Sequence, residues 1–170
     1  SFEEVITVPG KTMPFEQVQV YSEINGRLKK IHFSEGNTVK KGQLLVTMDT
    51  DILQAERNKL TVDLDLAQKD KARKQTLLES EAGTQEAFAQ SESRVNSIKA
   101  QIQSLDVQIS KGRITAPFEG VVGLRSISEG AFITTNDLLT VLAQTNQLKV
   151  DFSIAQSYAL KIEVGQKVTF

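Results

Sequence analysis

The chain has 170 residues, enough for one ordinary domain or two small ones, and only 39% of them are hydrophobic and 6% aromatic. That composition favours an elongated, well-solvated shape over one large core. Its 20 basic and 21 acidic side chains balance to a net charge of −1, which leaves no basic stripe for nucleic acid; the absence of cysteine excludes disulfides and thiolate metal sites.

Residues 1–20 alternate loosely at Val5, Thr7, Val18 and Val20, with Pro9, Gly10 and Pro14 as breakers, and read as strand, turn, strand. Residues Ile24 to Asp49, INGRLKKIHFSEGNTVKKGQLLVTMD, carry an alternating run, turns at SEGNTV and KKGQ, and a closing LLVTM strand. Gly36 and Gly42 fall where a hairpin needs positive φ or close backbone approach.

From about Asp51 the period becomes helical, with apolar residues at Leu53, Leu60, Leu64, Ala67, Leu77 and Leu78. Asp49, Thr50 or Asp51 supplies the N-cap, and Gly83 reads as the glycine just past the helix end. A second helix is expected from about Gln85 to Lys111. Its stripe of Phe88, Val95, Ile98, Ile102, Leu105 and Ile109 has spacings of 7, 3, 4, 3 and 4, the seam of a coiled coil. Two helices joined by a link of two or three residues fold back antiparallel, giving an arm of roughly 40–45 Å. Arg57, Lys71 and Lys74 interrupt the seam of the first helix, which predicts marginal pairing toward the tip and polar faces left free for other helices.

Gly112 ends the second helix, and RITAPFEGVV returns the chain to strand. Residues Phe118 to Ala143, FEGVVGLRSISEGAFITTNDLLTVLA, then repeat Ile24–Asp49 without a gap at an offset of 94 positions. Identities fall at Gly26/Gly120, Ser34/Ser128, Glu35/Glu129, Gly36/Gly130, Leu44/Leu138 and Leu45/Leu139. One small β-fold is thus split in its middle by a helical arm. The final stretch alternates at Leu148, Val150, Phe152 and Ile154, the start of a further β-domain. No apolar run is long enough for a membrane helix and no secretory leader is legible, so any anchor is expected outside this stretch.

Little in the sequence points to chemistry. His32 is the sole histidine, Lys40 and Lys41 read as turn lysines, and Asp63, Asp65, Glu79 and Glu81 sit on a solvated helical face. No nucleophile–base set, phosphate loop or metal spacing emerges, so the expectation is a non-enzymatic protein with no cofactor and no metal.

The doubled G-(alternation)-E-G-x-x-V pattern, with Ile133 in the valine place of the second copy, in INGRLKKIHFSEGNTVKKGQLLVTMD and APFEGVVGLRSISEGAFI resembles the biotinyl/lipoyl carrier fold. In a carrier, a tight hairpin bearing a lysine joins the halves; here the arm stands in that place. Lipoyl-like halves split by a coiled-coil hairpin resemble the periplasmic adaptor, or membrane fusion protein, family of bacterial efflux pumps and type I secretion systems. RITAPFEGVV is similar to that family's segment entering the second half. RKQTLLESEAGT is similar to the R-xxx-L-xxxxxx-S tip pattern of adaptors of resistance-nodulation-division pumps, with Arg73, Leu77 and Thr84 at the three positions and threonine in place of serine.

The resemblance implies a mixed β plus α fold. A split lipoyl-like β-sandwich (21–49 and 114–146) would carry an inserted antiparallel coiled-coil hairpin (50–113), with partial β-barrel strands at both ends (1–20 and 147–170). It also implies a periplasmic adaptor subunit, associated with the inner membrane. Such a subunit would bridge an inner-membrane transporter to a TolC-like outer-membrane channel through Arg73, Leu77 and Thr84, and would self-associate into a ring of three or six. Gly26, Gly36, Gly42, Gly120 and Gly130 are expected to form the structural turns of the two halves. Two other readings stay open: an adaptor of an ABC-type exporter or type I secretion system, and a lipoyl/biotinyl carrier domain of an enzyme complex.

Overall fold

The computed structural model describes residues 7–157, 162–166 and 168–169. Within them the strands and helices run β1 (Gly10–Pro14), β2 (Gln17–Tyr21), β3 (Gly26–Ile31), β4 (Thr38–Val39), β5 (Leu44–Met48), α1 (Asp51–Glu79), α2 (Gln85–Lys111), β6 (Arg113–Thr115), β7 (Gly120–Val122), β8 (Phe132–Ile133), β9 (Leu138–Ala143) and β10 (Leu148–Phe152).

The sequence repeat becomes a two-fold exchange of strands. One four-stranded sheet has the order β2-β9-β7-β4 and the other β6-β5-β3-β8. Advancing along the chain by the repeat offset turns β3, β4 and β5 into β7, β8 and β9. Each sheet is therefore completed by the short strand of the opposite half: β4 pairs with β7, and β8 with β3. The backbone bonds are reciprocal as well. Gly36 N–H donates to the Val122 carbonyl at 2.8 Å, and Gly130 N–H donates to the Leu28 carbonyl at 2.8 Å.

This exchange explains why Ser-Glu-Gly is the best-kept part of the repeat. Ser34 and Ser128 carbonyls each accept from the residue three positions on, Asn37 and Ala131, at 3.2 Å. Gly36 and Gly130 take φ of 76° and 84°, a region that side chains with a Cβ enter only with strain. The glutamates cross between halves: Glu129 Oε1 accepts from the Ile31 N–H at 2.8 Å, and Glu35 Oε1 from the Arg125 N–H at 2.9 Å. Each carboxylate thereby satisfies a backbone donor that its own sheet leaves open.

Between the sheets lies a core drawn from both copies, with Leu28, Leu45, Met48, Val122, Leu139 and Leu142 almost fully buried. The matched Leu45/Leu139 pair supplies one residue from each half, as period-2 alternation requires.

Several expectations need correction. Gly26 and Gly120 stand at the starts of β3 and β7 rather than in turns, unlike Gly36, Gly42 and Gly130 with their positive φ. Gly10 and Pro14, expected with Pro9 as breakers, form the two ends of β1, and the chain turns at Phe15 and Glu16 instead. β2, expected with the flanking barrel strands, pairs with β9 and so belongs to the sandwich. β1 pairs with β10 in a separate two-stranded ribbon, and β10 ends at Phe152, short of Ile154. Val5 lies outside the described residues.

The arm leaves the sandwich where two of its strands already run antiparallel. β5 leads into α1 and α2 leads into β6, and β5 pairs with β6. Thr50 is the α1 N-cap without a side-chain cap bond; Asp49 Oδ1 instead accepts from the Asp51 N–H at 3.0 Å. Gly112 caps α2 in ordinary right-handed conformation, and its carbonyl accepts from the Met48 N–H at 2.8 Å. A Cβ on Gly112 would sit 2.5 Å from Thr50 Cγ2, so the small residue lets the feet of the two helices meet. Lys29–Asp51 at 3.0 Å and Lys111–Glu23 at 3.7 Å tie each helix end to the sandwich.

The two equivalent glycines Gly26 and Gly120 are expected to differ in tolerance. A Cβ at Gly120 would meet the Ala143 carbonyl oxygen at 2.5 Å, whereas at Gly26 nothing lies nearer than the Asp49 oxygen at 3.8 Å. Gly120→Ala should cost about 1–3 kcal/mol and Gly26→Ala less than about 0.5 kcal/mol in urea unfolding. Equal midpoints for the two variants would contradict the close approach at β7 and β9.

Candidate functional site at the hairpin tip

The arm is a two-helix coiled coil whose inner seam is partly ionic. Ala67, Val95 and Ile98 form its buried cluster, with Leu60, Leu64 and Ile102 packed around them. The charged residues that interrupt the α1 seam are matched from α2. Arg57 Nε meets Asp106 Oδ1 at 2.5 Å, and Lys71 Nζ meets Glu92 Oε1 at 2.6 Å while lying 5.6 Å from the Phe88 ring centroid. Lys74 is the exception, reaching only Asp70 on its own helix at 3.9 Å. The expectation of free polar positions therefore fails at Arg57 and Lys71. Partly exposed pairs of this kind add little stability, roughly 0.2–1 kcal/mol, but they distinguish one register from its neighbours.

Both cross-helix pairs are equidistant from a point between Glu81 and Ala82, which is the apex of the arm. The turn there is longer than expected, occupying residues 80–84. Helix α1 ends in a Schellman motif. Glu81 N–H donates to the Leu78 carbonyl at 3.1 Å and Ala82 N–H to the Leu77 carbonyl at 2.9 Å. The left-handed residue that this motif requires is Glu81, with φ of 58°, and not Gly83. Gly83 serves differently: its Cβ would lie 3.1 Å from Leu77 and Leu78 backbone atoms, so the missing side chain eases the close fold of the turn onto α1.

Arg73, Leu77 and Thr84 all lie at this end of the arm, and two of them meet. Leu77 and Thr84 line one shallow depression of about 190 Å³ with Lys74, Gly83 and Ala87. Leu77 is 42% exposed although it is the apolar residue that a solvated turn would hide. Arg73 stands one helical turn below Leu77, outside the depression, with its side chain 70% exposed. Its guanidinium is not wholly free: Nη2 donates to Asp70 Oδ1 at 2.5 Å, and this bond holds the Asp70 carboxyl below its ordinary pKa. Thr84 is the α2 N-cap, its Oγ1 accepting from the Ala87 N–H at 3.2 Å. The hydroxyl expected for docking thus also has a structural task, which accounts for a hydroxyl residue at this position.

One feature of the arm escaped the sequence reading. Ile52, Val62 and Leu66 are 84%, 70% and 63% exposed and, with Ala55, Lys59, Lys69 and Arg73, follow spacings of 3, 4, 3, 4, 3 and 4. This is a second stripe along the outside of α1, ending at the tip. The heptad spacing was legible, but the inner seam one residue away masked it.

The remaining candidates have ordinary surroundings. His32 Nε2 lies 2.8 Å from Thr47 Oγ1 on the neighbouring strand. Lys40 and Lys41 are exposed in the turn before β5, where the Gln43 side chain accepts from the Lys40 N–H. Among the described residues no group of three or more His, Cys, Asp or Glu side chains is placed to hold a metal, and no helix is long and apolar enough to cross a membrane.

A family model described as the barrel-sandwich hybrid domain of RND membrane fusion proteins matches residues 16–145, from the turn before β2 to just past β9. The chain belongs to the membrane fusion proteins of resistance-nodulation-division pumps, the periplasmic adaptor family. Multidrug resistance protein MdtA of Yersinia enterocolitica is 34% identical over 95% of this chain and 40% of its own length. An uncharacterized protein of Haemophilus influenzae is 27% identical over 97% of this chain and 43% of its own. The chain thus spans about two-fifths of the curated relatives it matches. Among solved structures, a MacA-MexA chimera containing the Pseudomonas aeruginosa MexA α-hairpin domain superposes with a TM-score of 0.82 at 22% identity, over 92% of this chain and 58% of that one. A putative efflux transporter from Bacteroides eggerthii gives 0.72 at 19% identity, over 94% and 52%. These two likenesses show the membrane fusion protein fold, hairpin included.

Proposed function

We propose that this membrane fusion protein is a non-enzymatic, periplasmic adaptor of a tripartite efflux pump, held at the inner membrane. Its hairpin tip docks on a TolC-like outer-membrane channel while the rest of the protein engages an inner-membrane transporter of the resistance-nodulation-division type. The observation that carries this reading is the tip itself. An apolar Leu77 is left half-exposed beside a depression at the apex of a long arm, with the Arg73 guanidinium one turn away. A guanidinium with donors to spare suits carbonyls or carboxylates at helix ends of a partner, and Leu77 suits a small apolar pocket. The name of the MdtA relatives, multidrug resistance protein, supports export as the process served.

Self-association into a ring of three or six has its own support. The outer stripe of α1 offers Ile52, Val62 and Leu66 along the arm. On the sandwich, the second half exposes Leu124 and Phe132 by 79% and 71% where the first half carries Lys30 and Thr38 at equivalent positions. Since the two halves share one fold, packing does not demand this difference; a neighbouring protomer would.

Arg73→Asp and Leu77→Ser are expected to abolish drug efflux while cellular levels and helicity stay at wild type. Full efflux from both variants would refute docking through the tip. A Val62→Glu/Leu66→Glu double variant, remote from the tip, should shift native mass spectra of the adaptor toward monomer; an unchanged oligomer distribution would remove the stripe as a contact.

A further inference from the structure

Glu81 occupies a backbone position that its side chain disfavours. Among the described residues it is the only non-glycine with positive φ, and it fills the C′ place of the Schellman motif. That place ordinarily takes glycine, or asparagine, because a Cβ crowds the adjacent carbonyl in the left-handed conformation. The turn does contain a glycine, but Gly83 answers a different need, close approach to Leu77.

Its charge is equally unaccounted for within the chain. The other charged groups of the tip have partners: Arg73 and Lys74 meet Asp70, Glu79 Oε1 accepts from Gln75, and Glu86 Oε1 accepts from Gln90. Among the described residues none bonds or pairs with the Glu81 carboxylate, which is exposed and stands beside the midpoint of the hairpin. Its nearest neighbours in sequence add no cation, since residues 79–86 contain three glutamates and neither lysine nor arginine. Backbone strain kept at an exposed apex, with an uncompensated charge, is the pattern expected where a residue serves a partner rather than its own fold.

We propose that Glu81 is a docking residue whose carboxylate pairs with an arginine or lysine on the channel that the tip meets. This inference rests on the reading that the tip docks on the channel. It assigns the apex the acidic half of the contact, whereas Arg73 and Leu77 supply basic and apolar parts a turn or more below. The residue is exposed at the apex, where a partner approaching the end of the arm meets it.

The test is the affinity of the intact adaptor for the outer-membrane channel of its own pump, held in lipid nanodiscs, at two salt concentrations. Glu81→Gln keeps size and strain and removes the charge. It should weaken binding about tenfold and flatten the salt dependence. Glu81→Gly should weaken binding similarly while raising the melting temperature by roughly 2–4 °C, since glycine relaxes the left-handed position. Arg73→Asp serves as the control for docking itself. Wild-type affinity for Glu81→Gln alongside lost affinity for Arg73→Asp would overturn the role of Glu81 and leave the tip reading standing. Wild-type affinity for both would overturn the tip reading. A lowered melting temperature for Glu81→Gly would show that Glu81 supports the fold, and would overturn the strain argument.

Discussion

Glu35 and Glu129 tie, around a shared core, the two halves of a sandwich that the whole arm separates in sequence. Each carboxylate crosses to the other half and closes one backbone N–H there, and each half lends the other its short strand. Neither half makes a closed layer of its own: β3 and β5 lack a full sheet without β8, and β7 and β9 without β4. The core residues likewise alternate between copies. Folding of either half therefore requires the other, and the arm can be inserted between them without the halves parting.

The same reciprocity sets where the arm begins. With β5 and β6 paired, the chain enters and leaves the hairpin side by side and in opposite directions, so α1 and α2 are antiparallel from their first turns. Gly112 lets them start in contact at Thr50. Farther out, Arg57–Asp106 and Lys71–Glu92 make one register better than a slipped one, because a heptad shift would set Arg57 opposite Lys99 or Arg113 and Lys71 opposite Lys99 or Gln85, losing both pairs. A rigid base and a single register together determine which residues reach the apex. Docking through the tip, as proposed, would need that constancy more than stability, and weak exposed ion pairs supply it.

Much of this was legible because the repeat is a strong signal. Six identities at one offset disclosed the split β-fold, and the 3-4 spacing of Val95, Ile98, Ile102, Leu105 and Ile109 disclosed the hairpin with the bounds of α2. What was not legible depends on contacts between distant segments. Gly26 and Gly120 are identical in sequence, yet only Gly120 faces a close carbonyl, from Ala143. Pro14 reads as a breaker because its missing N–H weakens strands, but among the described strands β1 pairs with β10 alone and tolerates a proline at its end. The turn at the tip misled for a local reason: Gly83 invites the left-handed assignment, and only the backbone shows Glu81 in that place. Of the tip residues, Arg73, Leu77 and Thr84 were found through resemblance, while the outer stripe of α1 and the unpaired carboxylate of Glu81 emerged from exposure and bonding.

The central claim is that the apex of the hairpin is the surface that meets the outer-membrane channel. Photo-crosslinking in living cells tests it most directly, with a photoreactive amino acid placed at position 77 on the tip or at position 119, an exposed site on the sandwich. The account predicts a covalent adduct with the channel from position 77 and none from position 119. Absence of the channel adduct from position 77, in cells where the pump is assembled and exporting, would contradict it.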